Sequence, residues 1–257
     1  FTYPTAVKNV KFLQRYPWNG LVDISCDLSG AGSVQIAVST LQDGKKLCDA
    51  KAIEGETVID LGEGGVTNGV KLIWNAAADL LAGFKAGGVQ VKVTVEKAPP
   101  PPAGQLWANG PIWEEANFGE SEDKDHSEYG ALYKFDSATN AVAQLTDGRR
   151  LPTKDELQAL IDNCDSAWND AKKGYTFTGK GIYSSNSIFL PAAGYEFVGS
   201  GGRFNAGDKG SYWSATPDSL EAGRAYNLDI SKDGGIEVID GDFGYGSSVR
   251  LVKDAEK

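Results

Sequence analysis

Histidine is almost missing from this chain: His126 is the only one. A zinc site that relies on two or more imidazole ligands therefore has too few of them. A Ser-His-Asp triad has no histidine to spare, and no serine stands in a Gly-x-Ser-x-Gly elbow. Methionine is absent, so a segment before Phe1 is expected to have been removed, by signal-peptide cleavage or by trimming. No apolar run reaches the ~18 residues that a spanning helix needs, so no membrane insertion is expected. Basic residues are outnumbered, 25 against 35 acidic, for a net charge of −10. That balance excludes the basic stripe a nucleic-acid binder needs and disfavours anionic lipid. Only three cysteines occur, Cys26, Cys48 and Cys164. Two alternatives stay open for them: a Cys26–Cys48 disulfide, or buried thiols acting as small hydrophobes.

Glycine is abundant, with 32 residues, and points to many turns. The sharpest boundary is Pro99-Pro100-Pro101-Pro102, a stiff polyproline segment unable to donate to a sheet ladder. It predicts a first domain over 1–97, a linker over 98–104 and a second domain over 105–257. Before the prolines, Val22, Ile24, Cys26 and Leu28 alternate with polar residues, as do Val34, Ile36 and Val38, then Val89, Val91, Val93 and Val95. Period-two alternation of this kind predicts an Ig-like β-sandwich, with a helical or loop insert over Asn75 to Phe84. After the prolines, Thr153 and Glu156 have capping-box spacing, and Leu157, Leu160, Ile161 and Cys164 follow at helical period. With short strands and many loops beyond Gly174, the second domain is expected to be α+β, making the whole chain α+β.

Several segments after the prolines resemble the Fibrobacter succinogenes major paralogous domain family. They are Leu106-Trp107-Ala108, 148–156 from Gly148 to Glu156, 188–195 from Ile188 to Tyr195, 210–216 from Gly210 to Thr216, and Ser248-Val249-Arg250-Leu251-Val252. They keep the family's order and cover about 105 to 253. The resemblance implies a C-type lectin-like fold, shared with formylglycine-generating enzymes and with the variable proteins of diversity-generating retroelements. The latter display changeable residues near the C-terminus for ligand binding. In the first half, 14–24 from Gln14 to Ile24, Leu72-Ile73-Trp74-Asn75-Ala76 and Val91-Lys92-Val93-Thr94-Val95 resemble the β-sandwich that precedes such domains in bacterial surface proteins. Together they imply a secreted or cell-surface protein.

Chemical motifs are sparse. His126 lies in an acidic stretch, 120–126, read as a solvated loop. Neither that stretch, with Asp123, nor Asp240-Gly241-Asp242 matches an EF-hand, and both are read as hydrated surface. Trp168-Asn169-Asp170 copies a tripeptide of calcium-dependent lectins but lacks its Glu-Pro-Asn or Gln-Pro-Asp partner. The stretch from Gly174 to Gly181 nearly spells a phosphate loop, but Gly181 stands where Ser or Thr should hold magnesium. The late cysteines through which formylglycine-generating enzymes act have no counterpart after Cys164. No enzyme, no cofactor and no metal site are therefore expected.

What remains is a late aromatic and polar set: Tyr212, Arg224, Tyr226, Asn227, Asp229, Asp242, Phe243 and Tyr245. Tyr, Trp and Arg dominate binding hot spots, and Tyr with Ser, Gly and Asn is the palette of antibody loops. These eight residues are the candidate ligand-binding set, for a protein or carbohydrate ligand. The runner-up is a structural or adhesin module without a small ligand. Trp213 is expected in the core beneath. Asn227 and Asp229 are expected to face outward, and Phe243 and Tyr245 to meet solvent. Loops at 224–227 and 240–246 are expected side by side.

Overall fold

The structure is a computed structural model that describes residues 5–17, 19–62, 64–80, 87–121, 124 and 126–255. Compact packing divides the chain into two units, Phe1–Pro100 and Pro101–Lys257.

The first unit contains β1 (Ala6–Gln14), β2 (Leu21–Gly30), β3 (Ser33–Gln42), β4 (Lys45–Asp49), β5 (Ile53–Glu54), β6 (Val58–Asp60), β7 (Gly65–Asn75), the single turn α1 (Ala76–Asp79) and β8 (Gln90–Lys97). One antiparallel sheet runs β1-β2-β7-β5, and a second is centred on β3, which pairs with β4, β6 and β8. Alternation decides which side chains go inward: Val22, Ile24, Cys26 and Leu28 of β2 and Val34, Ile36 and Val38 of β3 belong to one buried cluster. Asp43 and Gly44 join β3 to β4 with φ of 50° and 75°, the paired left-handed geometry of a tight hairpin. The Asp79 carboxylate holds the end of α1 in place, accepting from the Trp74 indole and the amides of Lys51 and Ala52. Most of the remaining insert, 81–86, lies outside the described residues. Cys26 and Cys48 are free thiols, the first buried and the second close to the Thr40 hydroxyl. Ala98 is buried and donates to the Ser33 carbonyl, so the first unit's pairing runs up to the prolines.

The second unit contains β9 (Ile112–Trp113), α2 (Phe135–Ala143), β10 (Arg149–Arg150), α3 (Lys154–Asn163), β11 (Asp165–Asn169), β12 (Gly174–Thr178), β13 (Ser187–Pro191), β14 (Tyr195–Glu196), β15 (Arg203–Phe204), β16 (Lys209–Pro217), β17 (Arg224–Ser231), β18 (Gly235–Asp242) and β19 (Val252–Lys253). Its sheets are small and antiparallel: β10-β19-β9, β11-β12-β13, β14-β15 and β16-β17-β18. At α3 the Thr153 hydroxyl accepts the Glu156 amide while the Glu156 carboxylate accepts the Thr153 amide, a complete capping box. The Arg150 guanidinium grips the same carboxylate in a fork, at 2.7 and 2.8 Å. Leu157 and Leu160 are buried from this helix, and Cys164 closes it as a buried thiol that burial pushes up to about 11. α2 was not foreseen. It buries Phe135, Ala138 and Val142, but Lys134 at its start makes no side-chain cap.

The expected α+β class with a C-type lectin-like second domain is corrected by this architecture. Among the described residues strand makes up 48% and helix 12%, in several small antiparallel sheets, none of them closed. The physical reason is that segments whose glycines suggest loops pair instead as short strands, some two residues long, as in β14 and β15. The protein has a β-rich fold.

A buried cation ties the second unit together. Arg250 is 2% exposed, and its guanidinium donates to Asn117 Oδ1 and to the carbonyls of Glu114, Glu115 and Phe189. Beside it the buried Tyr212 hydroxyl donates to the Pro191 carbonyl, and burial pushes that phenol up to about 12.

Candidate ligand-binding face

β14 and β15 form a hairpin with Tyr195 opposite Phe204 and Glu196 opposite Arg203. Its tip turns through Gly199 and Gly201, both at positive φ with open space around them. The hairpin is fastened to the turn that follows β18. The Glu196 amide donates to the Gly246 carbonyl at 2.8 Å, and the Gly246 amide donates back to Glu196 at 2.9 Å. The two segments approach closely at Gly244, where a Cβ would stand 2.9 Å from Val198 Cγ2.

This junction gathers rings. Phe197 lies 5.1 Å from Tyr195, 5.2 Å from Phe204 and 5.9 Å from Tyr245, all edge to face. Exposure is 43% for Phe197, 58% for Val198 and 39% for Phe204, so the cluster faces water rather than the core. An apolar cluster on backbone fixed by paired hydrogen bonds is a ready contact surface. Phe197, Val198 and Phe204 were not among the expected residues. The signal for them is the run from Tyr195 to Phe204, in which aromatics flank Gly199-Ser200-Gly201-Gly202 on both arms of a turn.

Of the expected set, Tyr245 joins this face, and Asp242 is exposed at its rim, where its Oδ1 accepts the Gly244 amide at 2.8 Å. Phe243 is half-buried, because its ring stacks at 4.4 Å on Phe135, which in turn meets Trp213 edge-on. It caps the core instead of standing in solvent. Trp213 is fully buried, and its indole donates to the Tyr133 carbonyl.

The segment 224–227 is part of β17, not a loop. It lies beside 240–242 through the pairs Arg224–Asp242 and Tyr226–Asp240. Arg224 is half-buried and donates to the Asp240 carboxylate and to its carbonyl; that hydrogen bond holds the Asp240 carboxyl below its ordinary range. The ring of Tyr226 is half-buried beneath Lys154, whose Nζ is 3.6 Å from its centroid.

Three expected binding residues are corrected. Tyr212 is 1% exposed and is core. Asn227 is 4% exposed and donates to Ser211 Oγ and to Asp229 Oδ1. Asp229 is only partly exposed, and desolvation raises its carboxyl above the usual range, with Glu237 adding to the effect. Alternation separates the two faces of β17, but here neither is left open. Leu228 and Ile230 pack into one core cluster and Ala225 into another.

His126 is exposed and stacks on Tyr129; Asp123 lies outside the described residues. Among the described residues no group of three or more His, Cys, Asp and Glu stands together to hold a metal ion. No described helix is long and apolar enough to cross a membrane. No family model, no curated protein and no solved structure matches this chain.

Proposed function

We propose that this is a binding protein of the cell surface or extracellular space, and not an enzyme. The face around Phe197 engages its ligand. The observation that carries the proposal is the ring cluster of Phe197 and Phe204, both exposed, with the half-buried Tyr195 and Tyr245, on two backbone segments held together by reciprocal hydrogen bonds. Exposed aromatics on a rigid support give contact area at small loss of side-chain freedom. The extracellular setting is supported by the first unit's resemblance to domains of bacterial surface proteins. The set expected from sequence shrinks to Tyr245 and Asp242 as direct participants, with Arg224, Tyr226 and Phe243 shaping the ground beside them.

The test is a binding screen of the full chain on arrays of immobilised peptides, proteins and glycans, repeated with Phe197→Ala and Phe204→Ala. Ligands retained by the native chain and lost by both variants, with unfolding temperatures unchanged, support the proposal. Ligands retained equally by all three place binding elsewhere and overturn it.

A further inference from the structure

We propose that the partner taken by this face is a basic polypeptide segment, with a lysine or arginine side chain lying across the Phe197 and Tyr245 rings toward Asp242 and Glu196. This deepens the reading above and rests on it. Charge is the first argument. Asp242 is exposed, and Glu196 stands half-buried where the hairpin meets the turn, its Oε1 accepting the Gly201 amide at 3.1 Å. Asp240 and Glu221 flank Arg224, which stands opposite Asp242 across the strands.

The cations of this neighbourhood have partners already: Lys154, which also acts on Asp240, lies over the Tyr226 ring. Arg224 is committed to Asp240 and Glu221, and the Arg203 guanidinium donates to the carbonyls of Ala193 and Gly130. Four carboxylates, Glu196, Glu221, Asp240 and Asp242, therefore stand in this region against three engaged cations, Lys154, Arg203 and Arg224, on a chain of net charge −10. An approaching cation meets a complementary potential, and an approaching anion is repelled.

Ring geometry is the second argument. The planes of Tyr195, Phe204 and Tyr245 are inclined to Phe197 by 78°, 65° and 70°. This is a faceted surface, not the flat platform on which a neutral sugar ring stacks. A cation is drawn to a ring's negative face and repelled by its edge, so rings set at steep angles offer it faces that point in more than one direction. The aliphatic stem of the same lysine or arginine covers Val198 and the ring edges, so one side chain satisfies both the apolar and the acidic parts of the face.

The experiment is a calorimetric titration of the full chain with a peptide of alternating lysine and glycine, and with the same peptide acetylated at every lysine. The native chain is expected to bind the first and not the second. Phe197→Ala, which leaves the charge unchanged, should weaken binding about tenfold, as the loss of a partly desolvated cation–π contact implies. Asp242→Asn should weaken it severalfold, whereas Glu56→Gln, an equal charge change at an exposed position of the first unit, should leave it unaltered. Binding of the lysine peptide that is indifferent to Phe197→Ala is diffuse attraction to an acidic protein and overturns the proposal. So does the absence of binding. If the acetylated peptide or a neutral glycan binds instead, and Phe197→Ala abolishes it, the face stands as a binding site and the basic partner falls.

Discussion

Replacing Arg250 by methionine sets two large and opposed terms against each other. Methionine keeps most of the apolar volume but removes every donor. Burial pushes the guanidinium down to about 10. At about 1.4 kcal/mol per pH unit, holding the cation there is disfavoured by about 3 kcal/mol, which Arg250→Met would recover. Against this, the acceptors left behind are Asn117 Oδ1 and the carbonyls of Glu114, Glu115 and Phe189. Each stranded buried acceptor costs about 1–3 kcal/mol, so at about 1.5 kcal/mol each, in the lower half of that range, these four cost about 6 kcal/mol. The net loss is then about 3 kcal/mol, or about 10 °C in unfolding temperature for a unit of this size. Arg250→Lys, which keeps a charge but only one nitrogen, should lose a similar amount. Differential scanning calorimetry of the full chain reads both variants. If Arg250→Met unfolds within about 1 kcal/mol of the native chain, the guanidinium is merely tolerated, as some buried ion groups are, and its role in tying 114–117 to β13 is refuted.

Other perturbations test neighbouring parts of the account. Asp229→Asn should raise stability near neutral pH: its raised carboxyl makes the native state bind a proton more tightly than the unfolded chain, so the native carboxylate is penalised at high pH. That penalty fades as pH falls through the folded value and is gone below about pH 4, where unfolding curves of variant and native chain should converge. Thr153→Ala removes the hydroxyl of the capping box and should cost about 1 kcal/mol, read by thermal unfolding. Phe243→Ala should cost about 2 kcal/mol, because its ring stacks on Phe135, whereas Phe197→Ala should stay within about 0.5 kcal/mol of the native chain. Equal losses for the two phenylalanines would remove the distinction between core cap and exposed face.

The legible parts of the sequence are those where one local rule decides the outcome. The alternation Val22, Ile24, Cys26, Leu28 needs only the pleat of a strand, and Thr153 with Glu156 needs only the first turn of a helix. The α+β class was misread because glycine-rich segments look like loops until a distant strand pairs with them. β9, β10 and β19 are two-residue strands far apart in sequence, and no local period marks them. The binding face was half-legible for a related reason. Phe243 and Tyr245 sit in the same glycine-broken turn, yet one finds Phe135 of the unforeseen α2 and the other finds Phe197 of the hairpin. Asn227 and Asp229 followed the alternation, but the sequence does not show that 247–248 will cover that side; Ser247 bonds the Ser211 hydroxyl that Asn227 also contacts.

The central claim is that an exposed aromatic surface at the junction of the hairpin and the turn is where the ligand sits. Hydroxyl-radical footprinting of the full chain, alone and saturated with the tightest ligand from the array screen, tests it most directly. The account predicts strong oxidation of Phe197 and Phe204 in the free chain, their protection on binding together with Tyr245, and little oxidation of Tyr212 and Trp213 in either state. Phe197 and Phe204 already protected in the free chain, or oxidised equally with and without ligand, would contradict it.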